Sequence, residues 1–183
     1  LSRRVLFLNN NQAGKIDVAG KNTSFGEKSL AANTTGTSNT AIGFKALFSN
    51  IAAIDQTAVG YQALYSNITG QFNTAVGSGA LYSNTTNENT AVGYNALNAN
   101  NNGAANTATG FRAMAVNTDG QRNTATGASA LKSNTLGTEN TATGVSALSD
   151  NQTGNYNTAD GFRSLFLNIN GSKNTATGYQ SLM

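Results

Sequence analysis

Gln56-Thr-Ala-Val-Gly-Tyr-Gln-Ala-Leu-Tyr-Ser-Asn-Ile-Thr-Gly70 is the stretch that decides the fold, because the chain keeps repeating it. The phrase starts at Asn22, Asn39, Gln56, Asn73, Asn89, Asn106, Asn123, Asn140, Asn157 and Asn174. The step is seventeen residues everywhere except sixteen between Asn73 and Asn89. A short fixed period predicts a solenoid, in which each coil packs mainly on its two neighbours. Its 183 residues therefore measure extent along an axis. Residues 22–183 form the repeat array and residues 1–21 precede it.

Within each unit the first segment reads Asn-Thr-Ala-x-Gly, with Thr and Gly in all ten units. β-Branched residues flanking a small one predict a strand, with Thr and x on one face and Ala on the other. The x column runs Phe25, Ile42, Val59, Val76, Val92, Thr109, Thr126, Thr143, Asp160, Thr177, changing from apolar to Thr along the array. The second segment is Gly-x-x-Ala-Leu-x-x-Asn. Leu, replaced once by Met114, is the chief core position, and a mostly aromatic column (Phe44, Tyr61, Tyr94, Phe111, Phe162, Tyr179) sits three residues before it. That gap suits a helical turn, while Phe48, Tyr65, Tyr82 and Phe166 suit strand alternation. The Asn closing each unit, from Asn33 to Asn168, tips the reading toward a short helical turn per coil, since Asn tolerates a left-handed cap. The third segment is a turn, and its glycine column (Gly36, Gly70, Gly103, Gly120, Gly137, Gly154, Gly171) is expected at positive φ. Ala53 and Asn87 interrupt that column and predict the least uniform part of the stack.

Arg4-Val-Leu-Phe-Leu-Asn9 echoes Arg163-Ser-Leu-Phe-Leu-Asn168, so 1–21 is expected to hold a half coil and, over Gln12 to Lys21, a hairpin-like lead-in cap. The chain opens on Leu1 and stops part way through a tenth unit, and is taken as a section of a longer protein. Repetition stacks identical residues about 5 Å apart. The first-place asparagines could then form an amide ladder, or could simply end turns. Arg122 and Glu139 share a column one coil apart and form a candidate surface ion pair. One coil supplies few apolar side chains against the entropy of ordering its backbone. A homo-oligomer, with a trimer as its expected form, follows from that shortfall.

Composition narrows the chemistry. Net charge is +3, but the eleven Lys and Arg are scattered rather than gathered into a stripe, which argues against nucleic acid. Without Cys or His there are no thiolate or imidazole metal sites and no Ser-His-Asp constellation. No acidic column supplies oxygen ligands for calcium. The acids Asp17, Glu27, Asp55, Glu88, Asp119, Glu139, Asp150 and Asp160 are spread nearly one per coil, unlike the paired carboxylates of a glycoside hydrolase. No catalytic, cofactor-binding or metal-binding residue is assigned, and no apolar run reaches membrane-spanning length.

The Asn-Thr-Ala-x-Gly-x-x-Ala-Leu phrase resembles the head repeats of trimeric autotransporter adhesins, the YadA-like family. It also resembles Asn-Thr-Ala-Val-Gly-Tyr-x-Ala-Leu-x-Ser-Asn arrays of bacterial surface proteins and phage tail fibres. The match spans Asn22 to Met183; the longer coil and the Ala-Leu segment depart from the adhesin heads. The resemblance implies a trimeric parallel β-roll or β-prism, extracellular, on a cell surface or on a virion. It further implies a non-enzymatic stalk or attachment head whose partners are sister chains and a glycan or protein receptor. Two alternatives stand beside it. The paired Thr of Thr107-Ala-Thr109, Thr124-Ala-Thr126, Thr141-Ala-Thr143 and Thr175-Ala-Thr177 could order water as an ice-binding face, although a role at an interface or in a tight core is favoured for them. A glycan-binding or polysaccharide-active solenoid is the other, with Phe72 and Tyr156 at coil ends as sugar-stacking candidates.

Overall fold

The computed structural model describes residues 3–8 and 11–183, and it is an all-β solenoid without helix. The strands are β1 (Arg3–Leu8), β2 (Asn11–Asp17), β3 (Asn22–Phe25), β4 (Thr40–Ile42), β5 (Thr57–Val59), β6 (Thr74–Val76), β7 (Thr90–Val92), β8 (Thr107–Thr109), β9 (Thr124–Thr126), β10 (Thr141–Thr143), β11 (Thr158–Asp160) and β12 (Thr175–Thr177). They form one sheet in chain order. Every pairing from β3 to β12 is parallel, with Thr opposite Thr and Ala opposite the small residue of the next coil. The register survives the sixteen-residue unit, because Thr74 still pairs with Thr90 and the shortening is absorbed in the turn.

Residues 3–8 pair antiparallel with β2, and β2 pairs antiparallel with β3. The half coil expected there is thus one arm of a hairpin. Antiparallel pairing covers the edge of β3, which would otherwise present unpaired backbone groups.

Each strand from β4 to β12 lasts three residues because the following glycine turns the chain. Gly43 has φ +127°, and a Cβ there would lie 2.5 Å from the carbonyl oxygen of Gly60 in the next coil. Both the conformation and the close approach demand glycine. Beyond it the backbone alternates: Phe44 and Ala46 have negative φ, while Lys45 has φ 55° and Leu47 φ 49°. The same alternation recurs at Gln62 and Leu64, Asn95 and Leu97, and Arg112 and Met114. This overturns the expected helical turn. A helix would send these N–H groups to carbonyls four residues back. Here Leu47 N donates to Ala63 O (3.0 Å), Leu64 N to Ala80 O (3.0 Å), and Gln62 N back to Phe44 O (2.9 Å). The bonds within the segment are turn contacts such as Ala46 N to Gly43 O (3.3 Å) and Asn50 N to Leu47 O (3.3 Å).

The left-handed residue is therefore Leu, and the closing Asn keeps negative φ. Left-handed geometry costs a non-glycine residue about 1–2 kcal/mol. Burying the whole Leu side chain is worth roughly 1.5–3 kcal/mol, and Leu47, Leu64, Leu81, Leu97, Leu131 and Leu148 are all 0% exposed. They stack coil upon coil in one core with the strand alanines and the alanines preceding Leu. The aromatic column does not belong to this core: Tyr61, Tyr94, Phe111 and Tyr179 are exposed. Left-handed turns on both sides of Ala46 rotate the preceding ring outward while Leu turns in.

Two asparagine columns close the interior. First-place side chains accept from the backbone of the next coil, as in Asn106 N to Asn89 Oδ1 (3.0 Å), and donate to the next turn, as in Asn106 Nδ2 to Gly120 O (2.8 Å). Closing asparagines form an amide ladder: Asn117 Nδ2 donates to Asn100 Oδ1 (2.6 Å) and to Gly120 O (3.0 Å), and Asn134 repeats the pattern. First-place residues join side chain to backbone throughout. From Asn106 to Asn157 they also form the expected amide ladder, with Asn123 Nδ2 donating to Asn106 Oδ1 (3.2 Å), Asn140 to Asn123 (3.2 Å) and Asn157 to Asn140 (3.1 Å). The second ladder, with shorter bonds, lies in the column read as caps. It also explains Gly36 and its column, which do not have positive φ. A Cβ at Gly120 would sit 2.4 Å from Gly137 O, 2.5 Å from Asn117 Oδ1 and 2.6 Å from Asn134 Nδ2. Glycine is required there by crowding from the ladder.

Candidate binding surface

With Ala, Leu and Asn used inside, chemical variety is confined to outward columns. On the strand face Thr and x point out and Ala points in. Its first half is apolar, with Phe25, Ile42, Val76 and Val92 exposed. Its second half presents exposed Thr pairs, interrupted at β11 by Asp160.

The turn face carries two aromatic columns with a polar or cationic column between them. In the outer one Phe44 stacks on Tyr61 (centroids 5.5 Å), Tyr94 on Phe111 (5.5 Å) and Phe162 on Tyr179 (5.3 Å). In the inner one Phe48 stacks on Tyr65 (5.2 Å) and Tyr65 on Tyr82 (5.0 Å), nearly parallel in each case. Coil spacing makes the stacks, since it nearly equals the offset-stacking distance of two rings. Cations sit between the columns: Lys45 Nζ lies 5.3 Å from the Phe44 centroid and 5.5 Å from that of Phe48, and Arg163 is 5.3 and 5.2 Å from Phe162 and Phe166.

Glu27, Ser78, Ala128 and Val145 interrupt the outer stack, and only at Ser78 is the missing rung flanked by a ring on both sides. Where the pattern would place a ring and a long polar side chain, the coil beginning at Asn73 has Ser78 and Gly79. A cleft of about 310 Å³ opens there, walled by Tyr61, Tyr82 and Tyr94 and edged by Gln62, Asn95 and Asn98. Asn98 Nδ2 donates to Gly79 O (2.9 Å) and to Asn95 Oδ1 (3.3 Å), so its polar rim is held in place. A Cβ on Gly79 would stand 2.2 Å from Asn95 Oδ1, so the small residue is what lets that rim fold over.

Phe72 and Tyr156, the sugar-stacking candidates, are both exposed. They share a column of left-handed residues but are separated there by Glu88, Ala105, Arg122 and Glu139, so no aromatic surface forms at coil ends. The rings that do converge, Tyr61, Tyr82 and Tyr94, come from the two aromatic columns on either side of the buried Ala-Leu pair. Ser78-Gly79, a single-coil break between Tyr61 and Tyr94, was the signal for them. Among the described residues no three His, Cys, Asp or Glu side chains gather as a metal site, and no helix is long and apolar enough to cross a membrane. Arg122 Nη1 and Glu139 Oε1 are 3.4 Å apart on the surface. Compared with known proteins, the chain matches no family model, no curated protein and no solved structure.

Proposed function

We propose that this β-solenoid is a non-enzymatic attachment module, a rigid shaft or head of a bacterial surface protein or phage tail fibre, working outside the cell as a homotrimer. The observation carrying this reading is the split between interior and exterior. The inside repeats with almost no variation while the outward columns change from coil to coil. A stack whose coils rise roughly 4.8 Å each is suited to hold a binding surface away from its base. Exposed Phe25, Ile42, Val76 and Val92 on one flat strand face supply apolar area for packing against sister chains.

Native mass and small-angle scattering test it together. A particle of three 18.8 kDa chains with a rod-like scattering profile is expected; a compact monomer that confers no attachment when displayed on a cell surface would overturn it.

The outward Thr pairs of β8, β9, β10 and β12 favour one second reading, an ice-ordering face. Thermal hysteresis in the purified protein, abolished by Thr126→Leu and Thr143→Leu together, is its test.

A further inference from the structure

The geometry points to the cleft at Ser78-Gly79 as a binding site for a neutral hexopyranose ring, the terminal or internal sugar of an uncharged glycan. Tyr61 and Tyr94 lie two coils apart, so roughly 10 Å separates their rings, twice the usual rise. Where rings of this column occupy neighbouring coils their centroids lie 5.3 to 5.5 Å apart. Of its ringless positions, Glu27, Ser78, Ala128 and Val145, Ser78 alone has a ring on the coil before and on the coil after. The empty rung therefore has the dimensions of a single flat, six-membered ring with apolar faces.

An aromatic ring and a pyranose both have that shape, and the rim decides between them. Gln62, Ser78, Asn95 and Asn98 surround the slot with amides and a hydroxyl. Their mutual bonds use Asn98 Nδ2 and Asn95 Oδ1, leaving Asn98 Oδ1 and Asn95 Nδ2 for a ligand. A sugar's equatorial hydroxyls would pair with these groups while its C–H face lies on tyrosine. An aromatic guest would desolvate them without replacement, which is costly. No charged side chain lines the cleft, while Lys45 and Arg112 stand two coils away on either side, so the site favours an uncharged ring over an acidic sugar. The volume, about 310 Å³, falls at the lower end of the range that small-ligand sites occupy.

A glycan site on this flank rests on the attachment reading for its use. The two fail separately, since oligomeric state and rod shape are read from mass and scattering without any sugar present.

Saturation-transfer NMR on the whole chain, with lactose and cellotriose as probes, tests the site. Transfer to the C–H face of one hexose is expected. Ser78→Tyr supplies the missing rung from the chain itself, in a column that accepts tyrosine at 61 and 94, and should lower affinity about tenfold or more. Tyr94→Ala removes one wall and should lower it about fivefold or more. Tyr156→Ala, outside the cleft, should leave binding unchanged. Should Ser78→Tyr alter the fold by circular dichroism, Tyr61→Ala serves in its place with the same expected loss. No transfer to either sugar, transfer unaffected by these cleft variants, stronger binding of sialyllactose than lactose, or preferential uptake of phenol or indole would each overturn the assignment.

Discussion

Two stretches of the same ladder behave differently. From Asn100 to Asn168 each closing asparagine donates to the one before it, at 2.6, 2.8, 2.8 and 3.0 Å. Around residues 50–56 the chain of amides is interrupted: Asn50 Oδ1 and Gln56 Oε1 are buried with no hydrogen-bond partner. Two substitutions coincide there. Ala53 brings a methyl group into a column where a Cβ crowds the ladder, and Asn50 Nδ2 reaches Ala53 O only at 3.5 Å. Gln56 is one methylene longer than Asn. Its Nε2 finds Ile54 O and Gly70 O, but its oxygen accepts nothing. The sixteen-residue unit, by contrast, loses a residue and keeps its rungs, although the one from Asn84 Nδ2 to Asn67 Oδ1 is stretched to 3.5 Å. Thr86 O accepts from both Asn73 and Asn84 at 2.8 Å, and Asn100 Nδ2 still reaches Asn84 Oδ1 at 2.8 Å. A solenoid of this kind tolerates a shorter turn better than an extra methyl group. The turn faces solvent, and the methyl group faces a polar row with no room to spare.

The comparison can be pressed experimentally. The largest effect lies in the column both stretches share: Leu64→Ala and Leu131→Ala should each cost about 2–5 kcal/mol in denaturant unfolding. Similar losses at both would confine the difference to the amides, and a much smaller loss at Leu64 would mean that the apolar core is itself loose near the break. Next comes Gly120→Ala, which copies the Ala53 defect into the intact ladder. Each buried amide it orphans should cost about 1–3 kcal/mol, with faster hydrogen exchange at the neighbouring coil. The reverse experiment, Ala53→Gly with Gln56→Asn, should raise stability by about 1–3 kcal/mol as two orphaned oxygens gain donors. No gain would show that the break is relaxed by other means. Smallest is Arg122→Ala, which removes an exposed ion pair and should change stability by about 0–1 kcal/mol, a difference that vanishes in high salt.

Much of the fold was legible because it is a matter of counting. Leu47, Leu64 and Leu81 share a column, and they stack as that column requires. Thr and x faced out and Ala in, as strand alternation demands. Ala53 was also legible as a disturbance, and so was Asn87, singled out with it: there Thr86 takes over as acceptor and the rung from Asn84 to Asn67 stretches to 3.5 Å, but no buried amide is orphaned. The interior was less legible. A gap of three between an aromatic and Leu reads as a helical turn, yet Lys45 and Leu47 both adopt left-handed φ and place ring and Leu on opposite sides. Propensity does not foresee leucine in that conformation, since the reward for it comes from a neighbouring coil. The cleft was hidden for the same reason: Tyr61 and Tyr94 count as a binding surface only once they are known to face outward.

Period, column identity, strand alternation and the lack of metal-ligating Cys and His follow from the order of residues alone, because each is a one-dimensional property. Which way each column points, which asparagines bond to one another, and where a missing ring leaves a gap were decided only in three dimensions. Those outcomes depend on hydrogen bonds between residues about one coil apart in the chain, and on left-handed φ values whose cost is offset by burial against the neighbouring coil.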